Sequence, residues 1–449
     1  MAISANASIL AMLKVYYKDG VENLMFRNDP LLKKIKKERV EGKTQNFSAM
    51  YGRGGAVGGD FTKAQANAAT VSKAVEFAVE PGQIFSVYSM NSKEVQASQT
   101  KRGAYMKIAG AKMFAASESF RKTLAAALYG TGYGEICFAP ATSFTANTAV
   151  DITLPDYAIM AIDIGSKLDV KAVLASSTKK VTLTVEAING NTVNVTPDTT
   201  VAVLATDYVC LAGSVDGNKP LLPVGLAGWL PTNRTNLSTS FFGVDRSVAS
   251  DRLAGAFYDA TSNTNEKKSV SLQKLIQKCR RQGSQCDMIV LNDTDWLELA
   301  DEIQTSNTYF TQTSTKSKRE ANVGFDKFSA SFSTNYVENI IDTPFLPKGR
   351  FYVLDSEYVA LWSYTNTDKI NDGVEGNNPG KQNPMEMDGE GKTETPYGLI
   401  IDDYLNIQPG TSTINGPAMD VTLQMFGSFV VTNPSVCGVG KFYGADAFA

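Results

Sequence analysis

The 449-residue chain carries 43 basic and 46 acidic residues, a formal net charge of -3, with 43% hydrophobic residues and no histidine. At roughly 100–200 residues per domain, this length allows about two to four compact units with a real core. The composition excludes a disordered tail, a collagen and a small disulfide scaffold, and the missing histidine removes the usual general base, the usual proton shuttle and the commonest metal ligand together.

A charge so near neutral gives no global field for gripping phosphates, so any contact with DNA is expected to be local. The cysteines Cys137, Cys210, Cys279, Cys286 and Cys437 form no Cys-x-x-Cys pair and are odd in number. They read as buried free thiols of a protein made in a reducing cytoplasm. No run of ~20 apolar residues predicts a membrane span. The stretch through Tyr17 lacks the basic start and apolar core of a secretory signal.

In chain order, Ile9, Met12, Leu13, Tyr16 and Leu24 fall near helical spacing until Asp29-Pro30 breaks the pattern. A basic run follows at Lys33, Lys34, Lys36, Lys37, Arg39 and Lys43. It reads as an arm, either a solvated helix face or a segment lying against a polyanion or an acidic neighbour. Phe47, Ala49 and Tyr51 then alternate like a strand into Gly52-Arg-Gly-Gly-Ala-Val-Gly-Gly59, and Val75, Phe77 and Val79 alternate again. This predicts a long hairpin with a glycine-rich, reorientable tip. A phosphate-cradling loop is rejected because no Gly-Lys-Ser/Thr follows and no helix signal stands directly behind the glycines.

From Asn91 to Leu128 a helix is predicted, with Met106, Ala109, Met113, Phe120, Leu124 and Leu128 on one face and Gly130 at its end. It would approach ~55 Å. Residues 137–228 turn to Val, Thr and short strands. Alternation over Val181–Ala187, then Asn189-Gly190, then Thr192–Val195 predicts a tight hairpin, with further strands at Ala149–Leu154 and Asp207–Leu211. Leu272, Leu275, Ile276 and Cys279 predict an amphipathic helix closed by Gly283. Met288–Leu291 reads as a buried strand, and Asn292 or Asp293 caps a helix bearing Trp296, Leu299 and Ile303. Residues 304–335 read as loop, Phe351–Leu354 and Tyr358–Trp362 as paired strands, 366–395 as an exposed acidic loop, and Gly398–Asp402 and Val421–Val431 as closing strands.

No catalytic constellation accompanies these elements. Asp388-Gly-Glu390 lacks the twelve-residue calcium loop. Asp402 and Asp403 would point to opposite faces of a strand. No Gly-x-Ser-x-Gly elbow or Ser-Lys motif is present. No enzyme activity, metal or cofactor is expected.

The order of basic arm, glycine-tipped hairpin, long helix, β insertion, helix-strand-helix and returning strands resembles the major capsid proteins of tailed bacteriophages, the α+β Hong Kong 97-type fold. Gly58–Asn67 with Val75–Val79 resembles that family's extended loop, and Arg121–Gly132 the end of its spine helix. Gly225–Pro231 is similar to the exit from an inserted domain, and Ile289–Trp296 to the strand-to-helix corner of its axial domain. The resemblance implies an N-terminal arm at 1–43, an extended loop at 44–90 and a peripheral domain with the spine helix at 91–136 and 405–449. A β insertion domain at 137–228 and an axial domain with connecting strands at 229–404 complete it.

It further implies pentamers and hexamers forming an icosahedral or prolate shell around packaged phage DNA, in a virion assembled in the bacterial host cytoplasm. Subunit contacts would fall on Gly52, Arg53, Gly54, Gly55, Gly58, Gly59, Asp60 and Lys63 of the loop and on Lys33, Lys34, Lys36, Lys37 and Arg39 of the arm. The implied partners are further copies of the chain, portal and scaffolding or cement proteins, and double-stranded DNA held non-specifically; no membrane is involved. Lys63 and Lys73 have no matching partners for the covalent crosslink some members make, so none is expected, and the scaffold is expected to be separate or absent. An encapsulin-like compartment shell is the nearest alternative. A tail or surface-layer β protein accounts for the Val/Thr-rich half but not for the long helix.

Overall fold

The computed structural model describes residues 31, 34–40, 42–52, 58–66, 73–91, 108–306, 339–363, 408–409, 413–415, 418–446 and 448. They divide into two compact units: 83–91, 108–124, 363 and 408–426 belong to one, the remainder to the other.

The chain enters through β1 (Lys36–Arg39), β2 (Gln45–Gly52), a short helix α1 (Phe61–Ala66), β3 (Lys73–Val79), β4 (Gly82–Asn91) and the long helix α2 (Ile108–Tyr129). Strands β2 and β3 pair antiparallel, with Phe47 opposite Phe77 and Ala49 opposite Val75. The period-2 pattern sets the register: Phe77 and Val79 are buried, whereas Asn46, Ser48 and Met50 face solvent. In α2 the side chains of Phe120, Leu124, Ala125 and Leu128 are buried, one stripe at helical spacing. Gly130 ends the helix, its N–H donating to the Ala127 carbonyl at 3.1 Å. The 22 residues of α2 span ~33 Å. Met106 and the start of the predicted helix lie outside the described residues.

The larger unit holds two larger sheets beside its two-stranded ribbons. Strands β5 (Glu135–Phe138), β6 (Thr142–Phe144), β7 (Val150–Thr153), β8 (Lys167–Lys171), β9 (Val181–Asn189), β10 (Thr192–Pro197), β11 (Val201–Val203) and β12 (Tyr208–Leu211) follow one another, with helix α3 (Asp156–Met160) after β7. Six of them form an antiparallel sheet in the order β5-β12-β8-β9-β10-β7, while β6 pairs with β11. Asn189 faces Thr192 across a two-residue turn whose Gly190 has φ +58°, the left-handed conformation such a hairpin demands. Val170, Val181, Leu183, Val185, Val193 and Val195 fill the core beneath. A small ribbon, β13 (Val215–Asp216) with β14 (Lys219–Pro220), leads to the single-turn helix α4 (Leu226–Trp229). A Cβ on Gly225 would stand 2.1 Å from the Ala127 carbonyl oxygen, so this crossing against α2 requires glycine.

The second sheet and its helices use α5 (Ser250–Leu253), β15 (Ala256–Asp259), α6 (Lys268–Arg281), β16 (Met288–Asn292), α7 (Asp293–Ser306), β17 (Asn339–Thr343) and β18 (Arg350–Leu354); β19 (Val359–Ser363), which follows, belongs to another sheet. After β20 (Gln408–Pro409), β21 (Thr413–Asn415) and β22 (Ala418–Val431), the final strand β23 (Gly438–Lys441) completes the order β15-β23-β18-β16-β17. Every residue of β16 and β18 is buried, as central strands covered on both faces must be. Helix α6 buries Leu272, Leu275, Ile276 and Cys279 and is followed by Gly283 at φ +97°. The Asn292 side chain accepts from the Thr294 N–H at 2.9 Å, starting α7.

In the smaller unit β4, β20 and β21 all pair with β22. Phe85 meets Phe426 edge-on at 5.8 Å, and the Ser86 hydroxyl donates to the Ala116 carbonyl at 3.3 Å.

Three expectations require correction. Lys36–Arg39 is a strand, not a helix face, because β1 is claimed by β19 as a sheet neighbour. A helix does stand directly behind the glycines: α1, begun by Asp60. Phe351–Leu354 and Tyr358–Trp362 are not each other's partners; β18 pairs with β16 and β23, whereas β19 lies between β1 and β22. The 3-10 turn Ser356–Tyr358, with the Asp355 carboxylate accepting from the Glu357 and Gln285 N–H groups, diverts the chain from one sheet to the other. The predicted acidic loop at 366–395 and the strand Gly398–Asp402 lie outside the described residues.

All five cysteines are buried and free. Burial pushes the thiols of Cys137, Cys210 and Cys437 up to about 12. At pH 8 these three are therefore expected to resist alkylation in the native protein and to react fully in denaturant, as mass spectrometry of labelled peptides will read. Folding raises these pKa values, so their contribution to stability is complete below about 9 and is lost as pH climbs towards 12.

Candidate subunit interface

The hairpin β2–β3 is fastened at its root by aromatic packing. The Phe47 ring stacks on Phe77 at 5.2 Å, meets Trp362 edge-on at 5.8 Å and lies 5.9 Å from Trp229. Trp229 is fully buried and donates its indole N–H to the Phe429 carbonyl at 2.7 Å, satisfying the one polar atom that burial would otherwise strand. Phe241 stands edge-on to Trp229 at 5.0 Å, with Phe242 at 5.5 Å. The Arg246 guanidinium lies 3.9 Å over the Phe241 ring and donates to the carbonyls of Gly228 and Trp229 at 2.9 and 3.0 Å. Burial, reinforced by the charge of Arg234, lowers its pKa to about 10, which leaves it a cation at neutral pH. The Ala78 N–H adds a backbone tie at the root, to the Phe242 carbonyl at 3.0 Å, and farther along β2 the Arg252 guanidinium donates to the Tyr51 carbonyl.

The far end is open. Gly58, Gly59, Asp60 and Lys63 are exposed, and Gly52 is half-buried at the end of β2. The Asp60 carboxylate accepts from the Thr62 N–H at 2.8 Å while its carbonyl accepts from Ala64 N–H at 2.9 Å, an N-cap that holds α1 together. A Cβ on Gly58 would reach 3.0 Å from the Ala64 nitrogen. Arg53, Gly54 and Gly55 lie outside the described residues. Sequence reasoning missed Phe61, which is 80% exposed in the first turn of α1, and Met50, 65% exposed on β2. The Asp60 cap was the signal that would have found this helix.

The basic arm is partly committed within its own chain. Lys36 donates to the Glu357 carbonyl at 3.2 Å, and Glu38 accepts from the Trp362 indole at 2.7 Å. Lys34 is exposed; Lys33 and the side chains of Lys37 and Arg39 lie outside the described residues. Among the described residues no group of three or more Cys, Asp or Glu side chains is placed to hold a metal ion, and no helix is long and apolar enough to cross a membrane.

Among solved structures, a chain from the capsid asymmetric unit of cyanophage A-1(L) superposes with a TM-score of 0.54 at 13% identity, over 97% of this chain and 99% of that one. The two chains share a fold. The capsid-type fold therefore accounts for the mixed helix and sheet content along nearly the whole sequence. Mycobacterium phage Ogopogo (TM-score 0.44, 8% identity, 98% of this chain and 100% of that one) and the SrpI encapsulin of Synechococcus elongatus (0.43, 8%, 96% and 94%) align at scores too low to carry an argument. No protein-family model and no curated protein matches the sequence.

Replacing Trp229 by Ala removes the centre of the aromatic root and the indole hydrogen bond, and is expected to destabilise the larger unit by about 3–5 kcal/mol. Denaturant titration checks this, with accelerated proteolysis between residues 45 and 79 as the local readout.

Proposed function

We propose that the chain is the major capsid protein of a tailed bacteriophage, assembling through pentamers and hexamers into a closed shell around packaged double-stranded DNA. The observation that carries this reading is the likeness in fold to a phage capsid chain from end to end of both molecules. Function on this reading is geometric: the subunit offers complementary surfaces to its copies and performs no reaction.

The hairpin supports it. A tip with Phe61 and Met50 on display, on a root held by buried aromatics, is suited to lie on a neighbouring subunit, and bulky apolar anchors are where interface energy concentrates. Gly52, Arg53, Gly54, Gly55, Gly58, Gly59, Asp60 and Lys63 are assigned to that contact, and Lys33, Lys34, Lys36, Lys37 and Arg39 to a second one at the arm. Residues 1–43 serve as the arm, 44–90 as the extended loop, and 91–136 with the 405–449 segment as the peripheral domain whose spine is α2, except that β23 of that segment lies in the sheet assigned to the axial domain. Residues 137–228 are the inserted β domain, and 229–404 the axial domain with its connecting strands. The implied partners are portal and scaffolding or cement proteins, with local, non-specific contact to DNA.

Electron microscopy of the expressed full-length chain is expected to show closed particles. Phe61→Asp is expected to cut the assembled fraction at least about tenfold, and deletion of Gly52–Gly59 to abolish closed shells, both with unchanged circular dichroism of the unassembled protein. Wild-type particle yields from both variants would overturn the hairpin's role. Purified native particles filled with an enzyme cargo instead of DNA would move the protein to the compartment-shell reading.

A further inference from the structure

Within the larger unit a cleft of about 480 Å³ opens between β5 and β12, at one edge of the first sheet, and β15, β18 and β23 of the second. This is the size range of small-molecule sites. Nothing in the shell reading uses it.

Three cations line it. Arg350 is only 7% exposed; its Nη2 donates to the Phe448 carbonyl, and its Nε is buried with no hydrogen-bond partner. Arg234 donates through Nη2 to the Gly255 carbonyl at 3.0 Å, while its Nε and Nη1 are buried and unpartnered. Lys441 adds an ammonium from β23, its pKa lowered first by burial and then by the nearby charge of Arg350, against the opposing pull of Asp259. Burial likewise lowers Arg234 to about 10. Buried guanidinium N–H groups without acceptors are costly, and guanidinium forks match tetrahedral oxyanions.

The acids in the cleft do not cancel this charge. Asp259 is engaged by its own turn, one carboxylate oxygen accepting from the Thr261 N–H at 2.9 Å and hydroxyl at 2.6 Å. Glu135 accepts from the Thr131 N–H with one oxygen and leaves the other buried and unpartnered. Burial raises its pKa, against the lowering by Thr131 and Arg350. Three cationic side chains against two carboxylates leave the cleft positive, which suits an anion.

We propose that this cleft is a binding site for a phosphate dianion, free or as the terminal group of a small monoester, held by Arg234, Arg350 and Lys441. The inference is independent of shell assembly and fails or stands separately from it.

The test is calorimetric titration of the full-length protein at pH 7 with inorganic phosphate and, separately, with adenosine 5′-monophosphate, at ionic strength fixed with chloride. Saturable binding at one site per chain is expected. Arg234→Gln and Lys441→Gln should each weaken it at least about tenfold. They are preferred to changes at the more deeply buried Arg350, and a phosphorus NMR titration of the wild type reads binding without any variant. Tighter binding of the nucleotide supports a monoester as the occupant; equal or tighter binding of phosphate supports the free ion. Absence of saturable binding of either compound to wild type at about 10 mM, far weaker than a built site would give, overturns the proposal. So does affinity unchanged in both variants.

Discussion

The larger unit depends on the burial of Trp229. Its ring is the meeting point of Phe47 and Phe77 from the hairpin and of Phe241 and Phe242 from the following loop, and its one polar atom is satisfied by the Phe429 carbonyl. The packing is specific because two other conditions hold beside it. Gly225 lets the chain entering α4 pass against the carbonyls of α2, where any side chain would collide. Arg246 covers Phe241 and binds the carbonyls that a one-turn helix leaves unpaired. Four segments distant in sequence are thereby fixed to one side chain, and the hairpin inherits a rigid base from an interaction that no residue of its tip makes.

That arrangement separates two demands on the hairpin. Its base is dense with aromatic contacts and backbone ties, while its end carries glycine, a self-capped turn of helix and exposed apolar groups. Its end is built independently of that base, with α1 held by its own Asp60. The shell role proposed above would draw on a separately built tip, because identical subunits of a shell meet in surroundings that are similar but not identical.

Much of this was legible in the sequence where short-range rules govern. The β9–β10 turn forms at Gly190-Asn191, one residue beyond the Asn189-Gly190 expected, while Gly283 follows α6 and Asn292 starts α7 as local chemistry dictates. The alternation about Phe47 and Phe77 identified the hairpin and its buried face. What escaped was set by distant partners. Lys36–Arg39 is rich in charge and has little β-propensity, yet becomes a strand because Glu357 and Trp362, far along the chain, supply its partners. Phe351–Leu354 and Tyr358–Trp362 were recognisable as strands, but which sheet each joins is decided by β16, β22 and β23. Phe61 was invisible as a surface residue because one exposed aromatic in a polar stretch has no periodic signature. Arg234, Arg350 and Lys441 have no spacing that links them; only the closing of two sheets brings them to one cleft.

The parallel pairing of β15 with β23, which sets Ala256 beside Gly438, has a consequence for biogenesis. The sheet β5-β12-β8-β9-β10-β7 is built entirely from strands between Glu135 and Leu211 and is complete once that stretch has left the ribosome. The five-stranded sheet must hold a vacant slot between β15 and β18 until Gly438–Lys441 has been synthesised, since loop closure over such a span precedes any gain from the contact. Until β23 arrives, the nascent chain exposes the edges of β15 and β18 that it will cover.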